Sequence, residues 1–262
     1  MMKKIFAISL LTLFFNAVFA TDLYFATLAP KSSSWGMALS AIARDVYRES
    51  GKTIRIRIYY GGTQGDEEEM VKKIERGMLD GGAFTGNGLG LICPEARVLE
   101  LPGLFENSSQ VDKVYAQIED QLDPYFEKRD FELITLSETG FAYFFSKKKI
   151  ENIDDIKKSK MWMWKGDKLV FSFMQDLGIP AKPVNFTEVV PSLQTGVIDG
   201  FYSTPTGALS LQWHNEIDYI LDLPFVNVSG AVVFSEKGFN KLNKTEQEMI
   251  KKITKKYIAD LT

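Results

Sequence analysis

A short pattern occurs twice in this chain and limits what the chain can fold into. Ile74-Glu75-Arg76-Gly77-Met78-Leu79-Asp80-Gly81 returns as Leu193-Gln194-Thr195-Gly196-Val197-Ile198-Asp199-Gly200. Each copy reads as a helix end, a glycine cap, two apolar residues opening a strand, then Asp-Gly. Glycine at the cap supplies the left-handed residue that ends a helix. Each copy follows a strand–helix pattern, as expected of a βαβ unit. Two such units about 120 residues apart imply an α/β fold with two similar lobes, and a ligand in the cleft between them at the carboxyl ends of the strands.

The N-terminus indicates where such a chain works. Lys3 and Lys4 precede an apolar run over residues 5–15, and Val18-Phe19-Ala20 forms a cleavage site before Thr21. Residues 1–20 therefore read as a cleavable secretory signal peptide, and the protein is expected in the periplasm. The apolar run is too short for a spanning helix, which weighs against a retained anchor. No Cys stands at the cleavage point to carry a lipid. Removing Lys3 and Lys4 takes the formal net charge from −3 to −5, so the mature chain offers no basic field for nucleic acid. A lone Cys, Cys93, excludes an internal disulfide. Beside Pro94 in an apolar stretch it reads as a packing residue.

Periodicity places strands at 23–27, 54–58, 80–84 and 132–135 in the first half of the chain. Helices are expected over 35–49, with Met37, Ile42, Ala43 and Val46 at helical spacing, and over 110–126. The second unit begins after Lys147-Lys148-Lys149. Strands are expected at Met161–Trp164, 181–185, 198–202 and 231–234. Helices are expected over 168–177, closed by Gly178, and over 188–194, capped by Thr187. The last helix, 244–261 with a Thr245 cap, has no stop signal at Thr262, as in a chain continuing beyond this residue.

Catalytic and metal signatures are sparse. His214 is the sole histidine, so no histidine cluster can form, and beside Trp213 it reads as a surface or interlobe residue rather than a catalyst. No Gly-x-Ser-x-Gly elbow, phosphate-binding glycine loop or Cys-x-x-Cys is present. Asp66-Glu67-Glu68-Glu69 reads as a solvated first helical turn complementing the helix dipole, with cation binding as the alternative. Trp162 and Trp164 stand two apart in a short strand and share a face, as do Phe141, Tyr143 and Phe145. Phe201 and Tyr202 follow the second Asp-Gly. Core packing accounts for most such rings, but the paired tryptophans at the end of a strand point toward the cleft.

Three segments resemble one family. They are Gly61-Gly62-Thr63-Gln64-Gly65 with Gly77-Met78-Leu79-Asp80, the run from Pro94 to Pro102, and the run from Asn185 to Gly200. The chain from about Leu23 to Leu261 is similar to the extracytoplasmic solute-binding proteins of TRAP transporters, the DctP type. The resemblance implies a two-lobe periplasmic-binding-protein-like fold with interlobe strands, a ligand cleft and a long helix behind. Lobe I is expected to hold residues 21–145 plus 228–262, and lobe II residues 146–227. About 50 residues of the family's C-terminal portion have no counterpart here.

The departures from the family bear on the ligand. Most relatives grip a substrate carboxylate with an arginine where this chain has Trp162, and many carry a second arginine where it has Ala142. Neither guanidinium is present, so bidentate carboxylate recognition is lost at those positions. Other ligand-binding positions implied by the resemblance are Leu28, Thr85, Phe186 and Ser203, with Trp164 and Tyr202 beside them. Lys165 is the one candidate cation. The expectation is a non-enzymatic, cofactor-free periplasmic binding subunit. It closes over a neutral, apolar or aromatic solute and passes it to a TRAP-type membrane permease, acting as a monomer. An envelope sensor or protein–protein adaptor on the same scaffold is the alternative.

Overall fold

In a computed structural model describing residues 20–261, eight strands form one mixed sheet. Residues 1–19 of the expected signal peptide lie outside the described residues. The strands are β1 (Thr21–Thr27), β2 (Ile54–Tyr59), β3 (Gly81–Thr85), β4 (Phe131–Ser146), β5 (Met161–Trp164), β6 (Ala181–Val184), β7 (Gly200–Ser203) and β8 (Tyr219–Ser235). Their order is β2-β1-β3-β8-β4-β7-β5-β6. β2-β1-β3 is a parallel trio, and β6-β5-β7 is a second with the same topology. β8 and β4 run antiparallel between them.

The doubled pattern marks the same junction in each trio. It joins the helix Glu67–Glu75 to β3 and the helix Val189–Gln194 to β7. Gly77 and Gly196 have φ of 72° and 73°, the left-handed conformation that glycine enters without a Cβ clash. The two apolar residues lie in the turn rather than in the strand, which starts after the aspartate. Leu79 and Ile198 are buried, while Met78 and Val197 face solvent. The aspartates do equivalent work. Asp80 Oδ2 accepts the Tyr24 N–H of β1 at 2.8 Å, and Asp199 Oδ2 accepts the Lys160 N–H preceding β5 at 3.1 Å. Lys241 and Lys148 provide the counter-charges.

β4 and β8, 16 and 17 residues long, extend well beyond the short strands expected at 132–135 and 231–234. Register shifts at Leu133/Thr135, Glu138/Gly140 and Ala142/Phe144 explain the difference. Each bulge bends the strand and re-aims its side chains, so no single alternation runs through it. A 20-residue helix, Ser108–Glu127, packs behind β4.

Other local expectations shift slightly. In the helix Ser34–Glu49, Leu39, Ile42 and Val46 form the buried stripe, and Met37 lies off it, 59% exposed. Thr187 sits inside a 3-10 turn, Phe186–Glu188, and caps no helix. The final helix, Lys244–Ala259, is capped by Asn243 rather than Thr245. Asn243 and Glu246 exchange side-chain-to-backbone bonds in a capping box, which satisfies two orphan N–H groups at once. Cys93 is fully buried, and burial pushes its thiol up to about 11. Among the described residues, no helix is long and apolar enough to cross a membrane.

The repeated aspartates generate a prediction. Burial opposes ionisation of Asp199, but the Lys148 ammonium and the Lys160 N–H outweigh it and hold the carboxyl below its ordinary value. A carboxyl depressed on folding stabilises the fold above its unfolded pKa and loses that contribution as pH falls through the folded value. Asp199→Asn should lower stability by about 1–3 kcal/mol at neutral pH. It should also flatten the acid limb of stability measured by denaturant titration between pH 2 and 7. An unchanged acid limb would show that the second Asp-Gly does no such work.

Candidate functional site

A cavity of about 310 Å³ opens where the parallel trios face each other across β4 and β8. Its wall is built from strand ends. Leu28 follows β1, Thr85 ends β3, Trp164 ends β5, and Tyr202 and Ser203 end β7. Carboxyl ends of parallel strands deliver side chains to a common edge, where open α/β sheets place their ligands.

Of the sequence-derived residues, Leu28, Thr85, Trp162, Trp164, Phe186, Tyr202 and Ser203 line the cavity. Ala142 does not: it is fully buried in β4 opposite Val226 of β8. Lys165 is exposed just past β5 and is not among the lining residues. His214 is half-buried on a short turn, with Nδ1 3.2 Å from the Ala208 carbonyl oxygen, and also lies off the cavity. Among the described residues, no group of three or more acidic, Cys or His side chains could hold a metal ion.

The aromatic wall is packed against itself. Trp162, 1% exposed, stacks on Tyr202 at 5.1 Å, tilts against Trp164 at 5.2 Å and meets the Trp213 ring edge-on at 5.3 Å. Its indole N–H donates to the Val184 carbonyl at 3.0 Å. Neighbouring rings therefore use the surface that stacking on a ligand requires. Trp164 in turn stacks on Phe186 at 5.1 Å. The half-buried lining rings are Trp35, Phe173, Phe186, Tyr202 and Phe225.

The acidic run is not a solvated turn at its start. Asp66 and Glu67 are 7% and 0% exposed. Asp66 accepts the Trp164 indole N–H at 2.9 Å and the Phe186 N–H at 2.7 Å, which ties the first trio's helix to the second trio. Glu67 lines the cavity and accepts from the Thr85 N–H (2.6 Å), the Thr85 hydroxyl (2.9 Å) and the Gly88 N–H (2.7 Å). It thereby holds the end of β3 to the first turn of the helix Gly86–Ile92 that follows directly. Only Glu68 and Glu69 behave as first-turn acids. The periodic pattern could not reveal this, because it does not show what packs over a helix start.

Sequence reasoning also missed the cavity's charged cluster. Arg97, on the 3-10 helix Pro94–Glu100, donates from Nη1 to Glu100 and from Nη2 to both oxygens of Asp167, at 3.0 and 2.9 Å. All three side chains are at most 15% exposed. Burial opposes the Arg97 charge, but Glu100 and Asp167 hold its pKa above the ordinary value. Burial raises the Glu100 carboxyl, with Arg97 pulling the other way. Gly86 makes the arrangement possible, since a Cβ there would lie 2.0 Å from the Glu100 carboxyl. The signal available in the sequence was the i, i+3 spacing of Arg97 and Glu100.

Glu67 gives a pH prediction. Burial pushes its carboxyl up to about 8, against the pull of the Thr85 and Gly88 donors. A carboxyl raised on folding disfavours the native state once the unfolded chain ionises. Stability should therefore decline as pH rises from the ordinary glutamate range to about 8, then level off. Glu67→Gln should remove that decline, as read from chemical denaturation at pH 5, 7 and 9. Parallel curves for both proteins would contradict it.

The comparisons with known proteins agree with this architecture. The family model "Bacterial extracellular solute-binding protein, family 7" (DctP) matches residues 25–261. A solute-binding protein of Verminephrobacter eiseniae is 24% identical over 83% of this chain and 65% of its own length. The C4-dicarboxylate-binding protein DctB of Bacillus subtilis is 24% identical over 86% and 65%. The chain thus spans about two thirds or less of these relatives. Among solved structures, the sugar acid binding protein DctPAm of Advenella mimigardefordensis, in complex with galactonate, superimposes with TM-score 0.87. It is 21% identical and covers 93% of this chain and 79% of its own. A TRAP periplasmic solute-binding protein of Xanthobacter autotrophicus with bound galacturonate gives 0.86 at 20% identity, covering 91% and 80%. The chain belongs to family 7 of the bacterial extracellular solute-binding proteins.

Proposed function

We propose that this chain is the periplasmic solute-binding subunit of a TRAP-type transporter, and that its ligand is a neutral, apolar or aromatic solute rather than a simple carboxylate. The carrying observation is the state of the cavity's cation. Among the described lining residues Arg97 is the one basic side chain, and two carboxylates already engage it. A ligand carboxylate would have to be desolvated with no free guanidinium to receive it, a cost of several kcal/mol without a compensating partner. Aromatic surface lines the remaining wall, and it rewards apolar or aromatic solutes through area and ring contact.

The mechanism follows from the layout. Lobe I, residues 21–145 and 228–262, and lobe II, residues 146–227, meet at the cavity. The first boundary falls at the end of β4 and the second within β8, so bending at the bulged pair opens and closes the cleft. Asp66 and the Arg97–Asp167 pair act as the clasps. Residues 1–20 export the chain, and the closed monomer presents the solute to a membrane permease. No observation favours the sensor or adaptor reading.

Isothermal calorimetry with a panel of neutral aromatics, sugar acids and C4-dicarboxylates tests this reading. Neutral aromatics should bind and quench tryptophan fluorescence, with Phe186→Ala weakening them by about 0.5–1.5 kcal/mol. Micromolar or tighter binding of a C4-dicarboxylate would overturn the ligand assignment.

A further inference from the structure

We propose that Asp167 is the specificity-determining residue of the cavity: it supplies from within the chain the carboxylate that Arg97 would otherwise take from a solute. The inference rests on the reading that this cavity holds the ligand. Arg97 comes after β3 and Asp167 after β5, so each parallel trio contributes one partner. Asp167 is held independently of any ligand. Its Oδ1 accepts the Leu169 and Val170 N–H groups, both at 3.1 Å, as the N-cap of the helix Lys168–Asp176. That position adds the favourable field of a helix N-terminus to the ion pair. Arg97 is equally fixed. Its stem lies against Gly90, where a Cβ would come within 2.7 Å of the Arg97 Cδ.

A solute carboxylate approaching this guanidinium meets two anions. Nη2 is already shared between both Asp167 oxygens, and Nη1 is taken by Glu100. The cluster carries two carboxylates to one guanidinium, so adding a third anion brings like-charge repulsion without a free donor fork. Breaking the Arg97–Asp167 bond would also undo a contact joining the two parallel trios, so carboxylate binding opposes closure. Without the Asp167 charge, Arg97 and Glu100 form a neutral pair whose Nη2 is free to receive an anion.

The experiment uses benzoate and benzamide, which share size and ring but differ in charge, with wild type, Asp167→Ser, Asp167→Asn and the double variant Asp167→Ser/Arg97→Gln. Ser and Asn both cap helices, so the local fold is kept. Benzoate affinity should rise about tenfold or more in Asp167→Ser, the scale of a charge-assisted contact. Benzamide, which gains no partner, should bind no tighter, and weaker to the extent that the lost clasp assists closure, and the benzoate gain should vanish in the double variant. If Asp167→Ser melts below wild type, Asp167→Asn carries the same comparison. A folded variant that binds benzoate no better than wild type, or not at all, overturns the assignment of Asp167. Tight benzoate binding by wild type itself would instead overturn the ligand class proposed above.

Discussion

The antiparallel pairing of β4 with β8 is the constraint on which the rest of the structure depends. These two strands are the physical link between the parallel trios, running together from Phe131 opposite Ser235 to Ser146 opposite Tyr219. Three bulges interrupt the ladder, and the second, at Glu138/Gly140, lies beside the cavity-lining Glu138 and Thr139. A bulge releases local pairing and increases twist. The same pair therefore supports both ends of the sheet and gives it a place to bend. Everything at the cavity, from Thr85 on one side to Ser203 on the other, is positioned relative to this spine.

Polar groups in and beside the cavity are satisfied without a ligand. Glu67 collects hydrogen bonds from Thr85 and Gly88, Asp66 from Trp164 and Phe186, and Arg97 is held between Glu100 and Asp167. Buried polar and charged groups of this kind cost more to strip of partners than they return as pairs. A solute that competes for them faces that cost, while one that covers aromatic surface does not. On the proposed reading, the site discriminates by what it has already paired as much as by what it exposes.

Much of the fold was legible in the sequence because it depends on local rules. The doubled Gly-x-x-Asp-Gly located both trios, since a left-handed glycine and a buried aspartate are needed wherever such a helix feeds such a strand. The strand Met161–Trp164 was read to the residue. The long strands were shortened because bulges break the alternation that reveals a strand. The site was legible in part. Strand-end residues such as Thr85, Trp164 and Ser203 followed from topology and family resemblance, and they do line the cavity. Ala142 does not, because alignment fixes a position along a strand but not the face it presents after a bulge, and Lys165 does not, because it sits in the exposed turn just past β5. Arg97 and Asp167 lie 70 residues apart, and a long-range ion pair leaves no periodic trace.

Native mass spectrometry of the protein purified from its natural host tests the central claim most directly, because it asks the molecule what it carries. The account predicts a small bound species, released on denaturation, that bears no carboxylate and has an apolar or aromatic body. A co-purified dicarboxylate or sugar acid would contradict it, since Arg97 would then have exchanged its internal partners for a ligand.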